Sequence, residues 1–210
     1  MYKRQVPGYI PTLEDLGLPP SIEKLSRMQN GLVLVTGPTG SGKSTTLAAL
    51  VRQINETSSR HIITVEDPIE YVHEPIQSRI TQRQVGKHVE SFSAALRSAL
   101  REAPDVLVIG EMRDSETIQL ALSAAETGVL VFGTLHTNTA ARAVDRILDT
   151  LAEEVREHAR GVLSVLLRAV IAQRLLRRPT GDGRVAGVEV LFGSIAVGNM
   201  IREGKTHQIE

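Results

Sequence analysis

The stretch GLVLVTGPTGSGKSTTLAAL, residues 31–50, decides the fold of this 210-residue chain. It opens with a continuous apolar run, residues 32–35, which is typical of a strand buried on both faces of a parallel sheet. A glycine-rich turn follows, and Leu47, Leu50 and Ile54 then recur at the spacing of one helix face. The sequence therefore predicts a strand, a loop and a helix in immediate succession.

The loop of this unit matches the phosphate-binding pattern G-x-x-x-x-G-K-[ST]. Its glycines let successive backbone N–H groups turn toward phosphate oxygens, Lys43 can reach the β and γ phosphates, and the Ser44 hydroxyl can ligate Mg²⁺. An ordinary glycine-rich turn is the alternative, but the strand before the loop and the helix after it favour a nucleotide site. The expected contact residues are Gly37, Pro38, Thr39, Gly40, Ser41, Gly42, Lys43, Ser44 and Thr45.

Further apolar runs alternate with helical patterns along the rest of the chain. Strands are predicted at residues 61–65, 106–109, 129–135 and 185–192, and helices after the caps Ser91, Asp114 or Ser115, and Ser194, with a long one over residues 153–178 that ends before a turn at residues 179–183. The alternation indicates an α/β fold with a mostly parallel sheet and helices on both faces.

The first thirty residues differ in character, because they hold four of the nine prolines. They are predicted to form a linker from another domain, with one short helix near residues 21–28. Residues 31–210 are predicted to form the α/β domain, and we expect the chain to be cut from a longer protein at both ends.

The composition argues against several classes of function. The chain holds 24 basic and 24 acidic residues and no cysteine. The balanced charge gives no general attraction to nucleic acid, and the missing thiols exclude disulfides and a cysteine-based zinc site. No apolar stretch is long enough to span a bilayer, so we expect a cytoplasmic chain.

Charged side chains follow three of the predicted strands. Glu66, Asp67 and Glu70 follow one strand, Glu111 the next and His136 a third. Ligands of parallel sheets sit at the carboxyl ends of the strands, where hydrolysis needs one acidic group near Mg²⁺ and another beside the attacking water. We assign Glu111 to the metal, directly or through water, Glu70 to the water, and His136 to a γ-phosphate contact or a switch. The alternative for the carboxylates is a solvated loop position, and for His136 a structural role.

Two groups of arginines are further candidates for a functional role. Arg97, Arg101 and Arg113 could reach a nucleotide or a neighbouring subunit, or could pair with carboxylates or lie in solvent. Another basic cluster, Arg174, Arg177 and Arg178, is expected at the end of the long helix, where the helix dipole accounts for it.

Four segments in this order resemble the family of secretion and type IV pilus ATPases, and within it the pilus retraction ATPases of twitching motility. They are GPTGSGKSTTLAAL, ITVEDPIEYVH, VLVIGEMRD and GTLHTNTA, and with their connecting stretches the resemblance covers residues 6–207. It implies a RecA-like domain that binds ATP and Mg²⁺ through Lys43 and Ser44, with Glu70 as catalytic base, Glu111 as Walker B glutamate and His136 in the His box. It also implies a homo-hexamer that acts on an inner-membrane pilus platform protein and lies at that membrane.

Departures from the family pattern are informative too. The family's amino-terminal PAS-like domain, which supplies arginines to the nucleotide, would precede this chain. The last predicted helix reads AVGNMIRE at residues 196–203, where retraction motors carry A-I-R-N-x-I-R-E. Assembly and export ATPases often carry a four-cysteine zinc insertion, so a chain without cysteine favours retraction. A type II secretion or pilus extension ATPase, a nucleotide-gated binding module and a small-molecule kinase stay as alternatives.

Overall fold

The structure is a computed structural model that describes residues 9–178, 181 and 183–209. Within these residues it contains seven strands and six α-helices. The strands are β1 (Gly31–Thr36), β2 (His61–Glu66), β3 (Arg79–Gln84), β4 (Val106–Ile109), β5 (Leu130–Leu135), β6 (Leu167–Arg177) and β7 (Arg184–Phe192). The helices are α1 (Lys43–Thr57), α2 (Phe92–Ala99), α3 (Ser115–Glu126), α4 (Ala140–Thr150), α5 (Glu153–Leu166) and α6 (Ile195–Arg202), with short 3-10 helices at Pro20–Arg27, Leu100–Glu102 and Thr206–Gln208.

All seven strands form one sheet in the order β3-β2-β4-β5-β1-β6-β7. Every neighbouring pair is parallel except β6 and β7, which are antiparallel. The predicted mostly parallel sheet is therefore confirmed. Because β2, β4, β5 and β1 are neighbours that run in the same direction, the loops that follow them meet at one edge of the sheet.

Apolar side chains cover both faces of the sheet. Helices α2 to α6 pack on one face, with Leu32 and Leu34 of β1 in the same buried cluster. On the other face, α1 packs against Val33 and Val35. The side chains of residues 32–35 in β1 alternate between the two clusters, which explains why this stretch is apolar at every position.

The described part of the predicted linker packs on the second face. Leu13, Leu18, Ile22 and Leu25 belong to the same buried cluster as α1, and Ile22 and Leu25 are fully buried. Residues 9–30 thus contribute to the core of the domain. The division of the chain at residue 30 stays a prediction.

The prediction of one long helix over residues 153–178 is wrong. Helix α5 ends at Leu166 and the chain continues as β6, which is inserted between β1 and β7. Hydrogen bonding to two neighbouring strands decides the conformation of this segment, and tertiary context of this kind overrides local helix propensity. The basic cluster that ends at Arg178 therefore lies at the end of a strand, and a helix dipole does not account for it.

Other parts of the chain show smaller differences. Strand β3 and helix α4 were not predicted. In the turn predicted at residues 179–183, Pro179, Thr180 and Asp182 lie outside the described residues. None of the helices that the structure describes combines the length and the apolar character needed to cross a membrane.

Candidate nucleotide-binding and catalytic site

The loop between β1 and α1 depends on glycine at three positions. Gly37, Gly40 and Gly42 have φ angles of 149°, 77° and 91°, which L-residues with a side chain rarely adopt. At Gly37 space is lacking as well, because a Cβ atom there would lie 2.3 Å from the backbone oxygen of Gln173. The motif glycines are therefore required by the local path of the backbone.

Lys43 lies folded across this loop at the start of α1. Its ammonium group donates hydrogen bonds to the backbone oxygens of Gly37, at 2.8 Å, and Pro38, at 3.1 Å. Burial lowers the pKa of Lys43, although the negative charges of Glu111 and Glu70 oppose this shift. The ammonium is thus held inside the loop by carbonyl groups, close to two of the predicted catalytic carboxylates.

A buried amide on β6 fixes the other side of the loop. Gln173 donates from Nε2 to the backbone oxygen of Ser41, at 2.6 Å, and accepts from the hydroxyl of Thr46, at 2.9 Å. All three residues are almost fully buried. Sequence reasoning missed Gln173 because it placed this segment in a helix; a single amide within an apolar run was the available signal.

Two threonines connect the end of β1 with the segment after β5. The hydroxyl of Thr36 accepts from the backbone N–H of Thr137, at 2.8 Å, and donates to the backbone oxygen of Thr137, at 2.7 Å. The preceding residue, His136, is therefore held beside the glycine-rich loop. Thr36 and Thr137 were not among the predicted site residues.

His136 contacts both Lys43 and Glu111. Its Nε2 atom lies 2.9 Å from Oε1 of Glu111, and its Nδ1 atom lies 3.5 Å from the ammonium of Lys43. Both contacts are satisfied together when the ring is neutral with its proton on Nε2, because Nε2 then donates and Nδ1 accepts. The ring thus joins the loop lysine to the acidic residue that follows β4.

Glu111 also binds Arg113 through a short ion pair. Burial raises the pKa of Glu111, but the hydrogen bond from Arg113 and the proximity of His136 outweigh it, so the pKa lies below its usual range. Glu111 is therefore held as a carboxylate.

The segment between β2 and β3, residues 67–78, carries Glu70. A small cavity of about 60 Å³ is lined by Glu66 and Glu70 from this region and by Ser44 from the loop. Burial raises the pKa of Glu66, while its Oε1 atom accepts from the hydroxyl of Thr64 at 2.6 Å. Glu70 is half-buried, and its negative charge is one of the two that partly oppose the lowering of the Lys43 pKa by burial.

The loop residues fit a phosphate group and its magnesium ion. The hydroxyl of Ser41 is buried and has no hydrogen-bond partner among the described residues, so a polar atom there is left unsatisfied. Ser44 is exposed at the start of α1, and carboxylates line the cavity beside it. A hydroxyl and carboxylate oxygens are ligands that Mg²⁺ prefers.

The structure brings the predicted residues together at one edge of the sheet. Pro38, Thr39 and Gly40 form the exposed tip of the loop, and the hydroxyl of Thr45 lies 3.0 Å from that of Tyr71 in the Glu70 segment. Asp67 is exposed beside the cavity.

The arginines considered for the nucleotide have different positions. Arg97 pairs with Glu116 of α3, whereas Arg113 pairs with Glu111 in the site itself. Arg101 is exposed in the 3-10 helix after α2. Of the three, only Arg113 touches a predicted site residue.

Comparisons with known proteins extend over almost the whole chain. The profile of the family described as "Type II/IV secretion system protein" matches residues 13–202. A twitching motility protein of Neisseria gonorrhoeae is 55% identical over 206 residues, which are 98% of this chain and 55% of that protein. The type IV pilus retraction ATPase PilT of Pseudomonas aeruginosa is 52% identical over 98% of this chain and 60% of its own.

A solved structure agrees with these relatives. The crystal structure of the pilus retraction motor PilT with bound ADP superposes with a TM-score of 0.94 at 53% identity, and covers 98% of this chain and 60% of that one. The chain thus spans between about half and two thirds of the length of the relatives it matches.

Proposed function

This chain belongs to the type II/IV secretion system protein family, and we propose that it binds and hydrolyses ATP with Mg²⁺ as the motor domain of a pilus retraction ATPase. The observation that carries the proposal is the meeting of three groups: Lys43 in the glycine-rich loop, Glu111 and His136. The chain also resembles PilT over 98% of its length, and this likeness supports the same function.

In this proposal the loop binds the phosphates of the nucleotide. Its backbone N–H groups and the buried Ser41 hydroxyl donate to phosphate oxygens, and Lys43 exchanges its bonds to the carbonyls of Gly37 and Pro38 for bonds to the β and γ phosphates. When bound, Mg²⁺ adds positive charge at the phosphate oxygens, and Ser44 and Glu111 would hold it, Glu111 directly or through water.

Glu70 acts on the attacking water. Its position at the cavity beside Ser44 suits a carboxylate that accepts a proton from water as the γ-phosphoryl group leaves. His136 is placed to hold Glu111 and to sense the γ phosphate through its contact with Lys43. Arg113 keeps Glu111 ionised.

The proposal for the whole protein goes further than the single domain. We infer a homo-hexameric ring that works in the cytoplasm at the inner membrane, where each hydrolysis step acts on a pilus platform protein. The support is the likeness to a pilus retraction motor.

The test is the rate of ATP hydrolysis per chain over a wide range of protein concentration. We expect turnover that needs Mg²⁺, rises with protein concentration as subunits assemble, and disappears in Lys43→Ala. A variant of an exposed lysine, Lys24→Ala on the 3-10 helix before β1, serves as the control and should keep the wild-type rate. Tight nucleotide binding without turnover at any concentration would identify a nucleotide-gated binding module instead.

A further inference from the structure

The segment that carries Glu70, residues 67–78, is held mainly by hydrogen bonds. Two of its large apolar side chains, Val72 and Ile76, are 60% and 64% exposed, so they bury little apolar surface. A loop with so few buried apolar contacts is mobile unless polar groups fix its backbone. The position of Glu70 therefore depends on the side chains that bind this backbone.

One amide on the edge strand β3 binds the segment just after Glu70 and also binds Glu66, the last residue of β2. Gln82 donates from Nε2 to Oε1 of Glu66, at 3.1 Å, and to the backbone oxygen of Tyr71, at 2.9 Å. Its Oε1 atom accepts from the backbone N–H of His73, at 2.8 Å. The side chain thus uses both amide hydrogens and its oxygen to join residues 66, 71 and 73.

The neighbouring strand fixes Gln82 in turn. Gln82 lies opposite Thr64 in the parallel pair of β2 and β3. The hydroxyl of Thr64 donates to the same oxygen of Glu66 that accepts from Gln82. Glu66 therefore ties the amide to the sheet, and the amide ties the Glu70 segment to Glu66.

We propose that Gln82 is a positioning residue for ATP hydrolysis, which holds the backbone around Glu70 so that this carboxylate faces the phosphate loop. The inference rests on the function proposed above and assigns a role to a residue outside the four motif segments. Gln82 does not touch the nucleotide; it acts through Tyr71, His73 and Glu66.

An amide is required because the site needs two donors and one acceptor. Gln82→Glu keeps the size but replaces both donors by oxygen, which would face the carboxylate of Glu66 and the carbonyl of Tyr71. Gln82→Leu removes all three bonds. A second amide, Asn55 of α1, binds the later part of the segment at Glu74, Ile76 and Ser78, so loss of Gln82 loosens the Glu70 half without releasing the whole segment.

The test compares Gln82→Leu and Gln82→Glu with Thr81→Val in the intact chain. Thr81 is the preceding residue of β3, and its side chain makes no hydrogen bond in the part of the chain that the structure describes. Steady-state hydrolysis should give a kcat about 10- to 100-fold lower in both Gln82 variants, since small misplacements of a catalytic group cost this much. The KM for ATP and the affinity for a fluorescent ADP analogue should change by less than about threefold, because the phosphate loop is intact.

Hydrogen exchange gives a second readout that needs no turnover. The backbone N–H of His73 should exchange at least about tenfold faster in Gln82→Leu than in Thr81→Val, because in Gln82→Leu it loses its acceptor. Wild-type kcat or an unchanged exchange rate at His73 in Gln82→Leu would overturn the inference. If the wild-type chain itself fails to hydrolyse ATP, the proposed function fails, and the exchange measurement still decides whether Gln82 anchors the segment.

Discussion

Replacement of Gln173 by alanine should destabilise the domain through the phosphate loop. The amide of Gln173 lies between the backbone oxygen of Ser41 and the hydroxyl of Thr46, and all three residues are at most 3% exposed. In Gln173→Ala both partners lose their hydrogen bond in a region that water does not reach. The change therefore leaves two unsatisfied polar groups as well as a cavity.

The cost can be worked from these contacts. Each buried polar group left without a partner costs about 1–3 kcal/mol, so the two together cost about 2–6 kcal/mol. The hydroxyl of Thr46 can turn to the carbonyl of Gly42, four residues earlier in the chain, as threonine does in helices. We therefore expect a loss in the lower half of this range, about 3 kcal/mol, which corresponds to a fall in Tm of about 6–12 °C for a domain of this size.

Urea unfolding followed by circular dichroism measures this loss. Gln119→Ala on α3 is the matched control, because the side chain of this glutamine is exposed and, among the described residues, bonds only to Ser115. Its change should stay within about 0.5 kcal/mol. A loss below about 1 kcal/mol in Gln173→Ala, or one equal to that of the control, would refute the role of Gln173 as an anchor of the loop.

Three further outcomes are expected. Asn55→Ala should lose about 3 kcal/mol of unfolding free energy in the same urea assay, because three hydrogen bonds to the Glu70 segment disappear, while Gln53→Ala on the same helix should lose little. Burial lowers the pKa of His73 from 6.5 to about 4. As the pH falls from 6.5 to 4, the unfolded chain therefore takes up a proton at His73 while the folded chain does not, and the free energy of unfolding should fall by at most about 1.4 kcal/mol per pH unit. His73→Asn should remove this part of the pH dependence. Gly37→Ala should weaken binding of a fluorescent ADP analogue by at least about tenfold, since its Cβ would meet the backbone oxygen of Gln173; unchanged affinity would contradict the geometry of the loop.

Local signals were sufficient for much of the fold. Strand β1, the loop and α1 follow from one continuous stretch, because buried strand, glycine turn and amphipathic helix each leave a pattern in neighbouring residues. Ser91 and Asp114 cap α2 and α3 as expected, and each side chain accepts from a backbone N–H three residues later. The convergence of Glu70, Glu111 and His136 followed from the rule that parallel strands present their carboxyl ends together.

The failures have separate causes. Residues 167–177 contain leucine, alanine, glutamine and arginine, which favour helix, and only pairing with β1 and β7 makes them a strand. Strand β3 lies at the sheet edge and is mostly polar, so it has no clear apolar pattern. Helix α4, in contrast, has a local signal in the sequence, the cap Thr139 followed by apolar residues at helical spacing.

The residues that support the site could not be predicted from the sequence, for a different reason. Gln173 forms a hydrogen bond with Thr46, which is 127 positions away in the sequence, and Thr36 forms one with Thr137, which is 101 positions away. Nothing near an isolated glutamine or threonine in the sequence indicates such a partner. The side chains proposed for catalysis could be named from motifs, whereas the side chains that hold them in place needed the structure.

The most direct test of the central claim is single-turnover hydrolysis of Mg²⁺-ATP by Glu70→Gln. Glu74→Gln is the matched control, because Glu74 lies exposed on the same segment. If Glu70 accepts the proton of the attacking water, Glu70→Gln should bind ATP within about threefold of the wild-type affinity but hydrolyse it at least about 100-fold more slowly, and Glu74→Gln should match the wild type. Hydrolysis by Glu70→Gln at the wild-type rate would contradict the account.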